Sequence, residues 1–186
     1  VLAHRERNYK QSSVYFKEAL EICKKMNFVE EQICLNLNWA DFYFELRKLE
    51  EVQKLFKETE AFFCQGDFSY FKPEFLLLQG KNLGAQKNID SALDFLNTAL
   101  AESNLLGKRE LVWQSHYGLG KIYFSKTDYE KSYLEWEQAV SILKNIASGI
   151  SNTDLKKSYL EDSLKLELLA EMKKIAQILI GKQPAG

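Results

Sequence analysis

The sequence has few residues that interrupt helices and few cysteines. Its 186 residues include only nine glycines and two prolines. Because a β-sandwich or barrel needs turn residues about every ten positions, this scarcity argues against both folds. Three cysteines without a CxxC spacing argue against a disulfide framework and favour reduced thiols in a cytoplasmic protein. We therefore expect a helical, globular chain.

An excess of positive charge and the usual catalytic groups are also lacking. The formal net charge is -1, which leaves no coat of basic side chains for a nucleic-acid backbone. No apolar run approaches the roughly 18 residues of a membrane-spanning helix. His4 and His116 have no companion at metal-ligand spacing, and no phosphate-binding glycine loop is present. We expect no enzyme activity, no metal, no cofactor and no membrane partner.

What the sequence does contain is a repeat of forty residues. The aligned segments are NYKQSSVYFKEAL, KLEEVQKLFKETE, NIDSALDFLNTAL and DYEKSYLEWEQAV. Their apolar and small columns lie three or four residues apart, so they share one face of a helix. The four columns are Tyr9, Leu49, Ile89 and Tyr129; Ser12, Val52, Ala92 and Ser132; Phe16, Phe56, Leu96 and Trp136; and Ala19, Thr59, Ala99 and Ala139.

A second helix precedes this one in each repeat. Its mark is a small residue twelve positions before the second column: Ala40, Gly80 and Gly120. Glycine costs about 1 kcal/mol inside a helix, and a close approach between two helix backbones explains its use here. We expect the small residue of this first helix, helix A, to pack against the small column of the second, helix B.

Turn residues divide the chain into helix pairs. The pattern predicts a remnant of helix A before Asn8, a helix B at about 8–26, and pairs at about 31–64, 72–104 and 109–147. Pro73 suits the start of a helix A, where its missing N–H costs nothing. Left-handed C-caps are expected where the helix B patterns end. The cap residues would be Asn27, Gly66, Gly107 and Gly149.

The segment LGKIYFSKTDYEKSYLEWEQA, Leu119–Ala139, resembles the tetratricopeptide repeat family. The resemblance covers about residues 8–147, with a period of forty where the commonest form has about 34. It implies an all-α superhelix, a solenoid of antiparallel helix pairs. Residues 1–150 would hold a partial repeat, 1–30, and full repeats at about 31–70, 71–108 and 109–149.

Residues 151–186 fall outside the repeat and are predicted to cap the solenoid. A short helix opened by Ser151 has Asp154 in a capping-box position. The longer helix that follows carries an apolar stripe, and an alternative is that this stripe forms a homodimer. The stripe consists of Leu164, Leu168, Met172, Ile175 and Leu179. Leu166, Leu169 and Ile180 widen it.

The resemblance also implies a binding groove along the helices A. Its positions recur at i, i+4 and i+7 of each helix A. Carried over by register, they are Leu37, Asp41 and Phe44; Leu77, Lys81 and Gly84; and Tyr117, Lys121 and Phe124. Aromatic anchors with charges at the rim suit an amphipathic or acidic-hydrophobic peptide. The lysine, asparagine and arginine with which the family clamps chaperone tails are missing, which excludes that ligand.

These observations favour a non-catalytic protein-interaction or scaffolding module in the cytoplasm. The start at Val1, inside a repeat, leads us to expect a piece of a larger multidomain signalling protein. One alternative function is homo-oligomerisation through the last helix. A less favoured one is reading of single-stranded nucleic acid by helical repeats, against which the neutral charge balance counts.

Overall fold

The computed structural model describes the backbone of residues 2–181 and the side chains of residues 11–181. Nine α-helices and one short 3-10 helix, and no strand, make up this part of the chain. The predicted all-α class is therefore confirmed. The α-helices are α1 Leu2–Met26, α2 Val29–Glu45, α3 Leu49–Phe63, α4 Lys72–Ala85, α5 Ile89–Leu105, α6 Arg109–Ser125, α7 Tyr129–Ser148, α8 Thr153–Leu160 and α9 Ser163–Gly181.

Seven of these helices follow the predicted alternation of A and B. Helices α2, α4 and α6 occupy the helix A segments, and α1, α3, α5 and α7 occupy the helix B segments. The prediction for the N-terminal segment is wrong in one respect. Helix α1 runs unbroken from Leu2 to Met26, so no separate helix A ends before Asn8. The side chain of Tyr9, the first member of its column, lies outside the described residues.

The turns between A and B helices repeat the same backbone conformation. Arg47, Lys87 and Thr127 have left-handed φ angles of 57°, 65° and 60°. In each turn the next N–H donates to a carbonyl five residues back; Asp128, for example, donates to Tyr123 O at 3.0 Å. This hydrogen bond closes the helix in the manner of a Schellman cap. The forty-residue register of the sequence is thus present in the backbone.

The turns after the B helices are less uniform than the sequence predicted. Asn27 and Gly107 are left-handed, with φ angles of 56° and 68°, as expected. Gly149 is not, since its φ is -77°. Gly66 is also absent from the left-handed residues of the described chain. After these two glycines the chain enters an irregular segment rather than a tight turn into the next helix A, so no left-handed cap is required.

The glycines of the A helices make room for large side chains of the B helices. A Cβ placed on Gly80 would lie 2.7 Å from Leu96 Cγ, and one on Gly120 would overlap the Trp136 indole. Ala40 is buried at the equivalent position. The close approach is confirmed, and at Gly120 the small second column takes part in it, because the Ser132 hydroxyl donates to Gly120 O at 2.9 Å. The groups that a Cβ on Gly80 or Gly120 would meet are the large residues of the third column, Leu96 and Trp136.

Two compact units divide the chain after Leu78, within α4. The core of the first unit includes Ile33, Trp39, Val52 and Phe56, and the Phe16 ring stacks on Trp39 with centroids 4.4 Å apart. The core of the second unit includes side chains from α6, α7 and α9. These are Trp113, Tyr117, Trp136, Ala139, Leu143, Leu168 and Ile175.

The C-terminal helices belong to the second unit, where α9 packs on α7. Helix α8 is capped one residue later than predicted: the Asn152 side chain, not Ser151, accepts the N–H of Leu155 at 3.0 Å. Asn152 has the extended backbone that an N-cap needs. Among the described helices, none combines the length and the apolar character required to cross a membrane.

Candidate functional site

The eight side chains predicted to face a partner differ widely in exposure. Leu37, Leu77 and Tyr117 are buried. Their place in the predicted groove is therefore corrected, because these positions of the A helices point into the protein core. The remaining five retain accessible surface and are the only members that a partner can reach without a rearrangement. Asp41, Phe44, Lys81 and Phe124 are half-buried, and Lys121 is exposed.

On α6, the predicted groove residues hold a carboxylate of α9. The Tyr117 hydroxyl donates to Glu167 Oε1 at 2.7 Å, and the Lys121 ammonium donates to the same oxygen at 3.0 Å. Lys121 Nζ also lies 5.1 Å from the centre of the Tyr117 ring. Two residues one helical turn apart thus grip one carboxylate, by a neutral and a charged donor together. We call this arrangement the carboxylate clip.

The carboxylate clip changes the acidity of its members. Burial, the hydrogen bond to Glu167 and the charge of that carboxylate raise the pKa of Tyr117 far above its usual range. For Glu167, burial acts to raise the pKa, but the hydrogen bonds from Tyr117 and Lys121 outweigh it, and the pKa is lowered. Both shifts keep the hydroxyl protonated and the carboxylate charged, which is the state that the hydrogen bonds need.

Phe124, at the end of the same face of α6, contacts α7 and α9. Its ring stacks on Trp136, with centroids 5.7 Å apart and planes at 24°. Lys174 Nζ of α9 lies 5.1 Å from the centre of the Phe124 ring. The Trp136 indole in turn donates to Tyr117 O at 3.1 Å. All three predicted groove residues of α6 are therefore engaged, directly or through a neighbour, by the C-terminal helix.

A second polar cluster joins α8 and α9 to the start of α6. Glu110 accepts hydrogen bonds from the Trp113 indole and from the Tyr159 hydroxyl, each at 2.6 Å. Lys165 Nζ lies 3.6 Å from the centre of the Tyr159 ring and 5.9 Å from that of Trp113. Burial, followed by the interactions with Glu110, raises the pKa of Tyr159. The cluster fixes both C-terminal helices to α6.

The apolar stripe of α9 is not a surface. Leu168 and Ile175 are fully buried in the core of the second unit, against which Leu164 and Met172 also pack. Leu179 is half-buried. The prediction that this stripe forms a homodimer is corrected, because the chain's own α7 and α6 side chains already cover it. The outward side of α9 instead presents Leu166, Leu169 and Ile180, which are 50%, 38% and 71% exposed.

Sequence reasoning did not identify the partners of the α6 side chains. Glu167 lies fifty residues after Tyr117 in the chain, and Tyr159 lies 49 residues after Glu110. No forty-residue register connects α9 with the repeat, so the spacing gave no signal. The only available signal was the amphipathic pattern of α9, which predicts a buried stripe but not the residues beside it.

The other side chains that could take part in catalysis or metal binding do not form a common site within the described residues. His116 contacts Glu135 between α6 and α7, with 2.7 Å between Nδ1 and Oε2. Within the described residues, no three His, Cys, Asp or Glu side chains are grouped so as to hold a metal ion. None of the three cysteines, all of which lie in this part of the chain, forms a disulfide.

The comparison with solved structures finds a distant likeness. No family model matches the sequence, and no curated protein matches it either. Among solved structures, the chain is similar to the crystal structure of BtubC (BKLC) from P. vanneervenii. The identity is 16%, the match covers 98% of this chain and 94% of that chain, and the TM-score is 0.46. This likeness is too weak to support an argument about family or function.

Proposed function

We propose that the chain is a non-catalytic protein-interaction module of the tetratricopeptide type that binds a carboxylate-bearing amphipathic helix on its A helices. The observation that supports this proposal is the carboxylate clip. Tyr117 and Lys121, two positions that the family resemblance assigns to the groove, hold the carboxylate of Glu167 on a helix whose apolar stripe is buried beside them. In this proposal α9 is the internal counterpart of the external ligand.

The chemistry of the clip suits one class of ligand. A hydroxyl donor and an ammonium at 2.7 and 3.0 Å from the same oxygen favour a glutamate or aspartate over an amide or an apolar side chain. Leu164 before Glu167 and Leu168 after it both pack into the core of the second unit, so the apolar contact of α9 flanks the acid. A competing segment should therefore carry an acidic residue within a leucine-rich helical stripe.

The predicted groove residues of the other A helices that retain accessible surface are half-buried. They include Asp41 and Phe44 in α2 and Lys81 in α4. We propose that the module acts as the scaffolding or regulatory part of a larger cytoplasmic signalling protein, without cofactor or metal.

A labelled peptide with the α9 sequence, Ser163–Gly181, tests the proposal. We expect it to bind the full chain by exchange with α9, measured by fluorescence anisotropy. A matched peptide with Glu167→Gln should bind about tenfold more weakly, because a hydrogen bond to a charged group is worth about 1.5–3 kcal/mol. Lys121→Met in the protein should reduce the preference for the acidic peptide.

Two outcomes would contradict the proposal. The first is equal affinity of the glutamate and glutamine peptides, which would show that the clip does not select a carboxylate. The second is the absence of saturable binding at a high peptide concentration under conditions where hydrogen exchange shows that α9 opens. Lys131→Met, on the exposed side of α7, is the matched control for loss of a lysine.

A second candidate function is self-association through the outward side of α9. The exposed leucines Leu166 and Leu169 are one turn apart, and Ile180 continues the apolar surface. Static light scattering of the full chain and of Leu169→Lys tests it. A dimer that becomes a monomer in the variant would support this function; a monomeric wild type at high concentration would contradict it.

A further inference from the structure

Lys165, near the start of α9, is the one charged side chain that is buried among the described residues, with an exposure of 8%. Removing an ammonium group from water costs free energy unless nearby groups compensate its charge. Two aromatic rings supply that compensation. Lys165 Nζ lies 3.6 Å from the centre of the Tyr159 ring and 5.9 Å from that of Trp113. The faces of such rings attract cations, and the attraction is strongest where water is excluded.

Glu110 orients the two rings. Its Oε2 accepts the hydrogen bond of the Trp113 indole, and its Oε1 accepts that of the Tyr159 hydroxyl, each at 2.6 Å. Because each carboxylate oxygen is used by one ring, a ring from α6 and a ring from α8 are held at the same place. We call Glu110, Trp113 and Tyr159 the cation cage.

The cation cage and the carboxylate clip lie on opposite sides of the buried stripe of α9. Leu168 belongs to this stripe and is fully buried. Lys165 precedes Leu168 by three residues and Glu167 precedes it by one, so at 3.6 residues per turn the two charges flank Leu168 on opposite sides. The protein therefore contacts a cation on one side of the stripe and a carboxylate on the other.

The order of these contacts defines the direction of α9. From the start of α6 to its end, the contacting pairs are Trp113 with Lys165, Tyr117 with Glu167, and Phe124 with Lys174. Helix α9 thus runs parallel to α6. A helix with the two charges exchanged would bring a carboxylate to the ring faces and an ammonium group to Lys121. Both contacts would be repulsive.

We propose that the cation cage is a second recognition site of the module, for the ammonium group of a lysine two residues before the acid of the ligand helix. The ligand is then an amphipathic helix with the pattern Lys-x-Glu-Leu, bound parallel to α6. This inference rests on the function proposed above, in which a partner helix replaces α9. Trp113 lies in α6 and Tyr159 in α8, so the protein retains both rings when α9 is exchanged.

Peptides with the α9 sequence, Ser163–Gly181, that differ only at Lys165 test the cage by fluorescence anisotropy with the full chain. Lys165→Met and Nε-acetylation of Lys165 both remove the charge and should weaken binding about fivefold. Nε-trimethylation keeps the charge and should leave the affinity within about twofold, because ring faces attract a cation without needing its N–H groups. Lys173→Met is the matched control: Lys173 is exposed, and its loss should not change the affinity.

Two variants of Tyr159 in the protein test where the cation binds. Tyr159→Phe keeps the ring and should retain most of the preference for the lysine peptide over the Lys165→Met peptide. Tyr159→Leu removes the ring and should reduce that preference to about twofold or less. No residue of α8 is buried, so neither change removes a core side chain, and circular dichroism verifies the fold. An equal preference in the two variants would place the cation elsewhere and overturn the proposal.

A peptide with the two charges exchanged tests the predicted direction. It carries Lys165→Glu together with Glu167→Lys, so its composition and net charge match those of the original peptide. We expect it to bind at least about tenfold more weakly, because the cage and the clip both meet the wrong charge. Equal binding of the two peptides would overturn the proposal, since attraction would then depend on total charge alone.

Failure of this inference differs from failure of the proposed function. If Glu167→Gln weakens peptide binding and Lys165→Met does not, the cage is not a recognition site and the carboxylate clip still is. If no peptide shows saturable binding, both proposals are wrong.

Hydrogen exchange of the full chain tests the cage without any peptide. Lys165→Met should accelerate exchange of the α9 amides about fivefold, whereas Lys165→Arg, which offers the rings another cation, should change it by less than about twofold. Unchanged exchange in Lys165→Met would overturn the proposal, because the rings would then hold a neutral side chain equally well.

Discussion

Helices α1 and α7 carry the same sequence pattern in different surroundings. Helix α7 has α6 on one side and α9 on another, and its small residues Ser132 and Ala139 are fully buried. Helix α1 packs on α2, and its small residues Ser12 and Ala19 retain accessible surface. A repeat pattern thus states which face of a helix can be buried. The neighbours of each copy decide how much stability that face contributes.

Truncating a buried side chain of α9 that packs against α7 should cause the largest loss of stability. Leu168→Ala on α9 should destabilise the second unit by about 2–5 kcal/mol, because it deletes a fully buried side chain and leaves a cavity. Leu166→Ala, two residues earlier and half exposed, is the matched control and should cost well under half as much. Urea unfolding followed by circular dichroism measures both. Equal losses would mean that α9 does not cover α7 in solution.

The same alanine-to-leucine substitution, made in α7 and in α1, tests the difference in burial between the two helices. Ala139→Leu should destabilise by roughly 1–3 kcal/mol, because a larger side chain cannot enter the fully buried contact. Ala19→Leu, at the equivalent position of α1, should change stability by less than about 0.5 kcal/mol, because that face is open. A comparison of melting temperatures is sufficient. A large loss in the α1 variant would show that its face is covered in the isolated chain.

The hydrogen bond between α6 and α9, beside α7, should contribute less to stability than these apolar contacts. Tyr117→Phe removes the hydroxyl that donates to Glu167 and should cost about 1 kcal/mol, since the carboxylate is partly solvated. Hydrogen exchange of α9 amides should accelerate more than that of α3 amides. Tyr123→Phe, on the same helix, serves as the control for loss of a tyrosine hydroxyl. If α9 exchange is unchanged, the carboxylate clip does not hold the helix.

The pH dependence of the same contact should be the smallest effect. The pKa of Glu167 is lowered in the folded chain from its ordinary value of 4.5, so the group contributes stability above that pH and loses it as pH falls through the lowered pKa. The melting-temperature difference between wild type and Glu167→Gln should therefore shrink between neutral pH and pH values below about 4. A difference that stays constant would argue against an ionised clip.

The sequence was sufficient to predict the helix pairs but not the contacts that the C-terminal helices make. Columns at helical spacing identify buried faces because burial depends on periodicity alone, and Gly80 and Gly120 mark close approaches that only small residues permit. The sequence could not tell whether the second-column or the third-column side chain would fill the space over Gly120, because the two columns lie only one turn apart. The structure assigns that space to Trp136.

The predicted groove failed in part for a related reason. A register taken from a family resemblance gives the place of each residue on its helix. It does not show whether other helices of the chain bury that residue. Leu37 and Tyr117 are at the assigned positions and are nevertheless core residues. The clip also depends on Glu167, whose place beside Tyr117 follows from how α8 and α9 fold back after the repeat ends. No local pattern near Tyr117 contains that information.

The left-handed residues at the A–B turns have a consequence for sequence variation. Arg47, Lys87 and Thr127 share one backbone conformation although their side chains differ in size and charge. A non-glycine residue in that conformation costs about 1–2 kcal/mol, and all three turns tolerate this cost. The direction of each B helix is therefore set by main-chain hydrogen bonds. The outer corners of the molecule can exchange one side chain for another, and so alter local charge, without redirecting the helices that they connect.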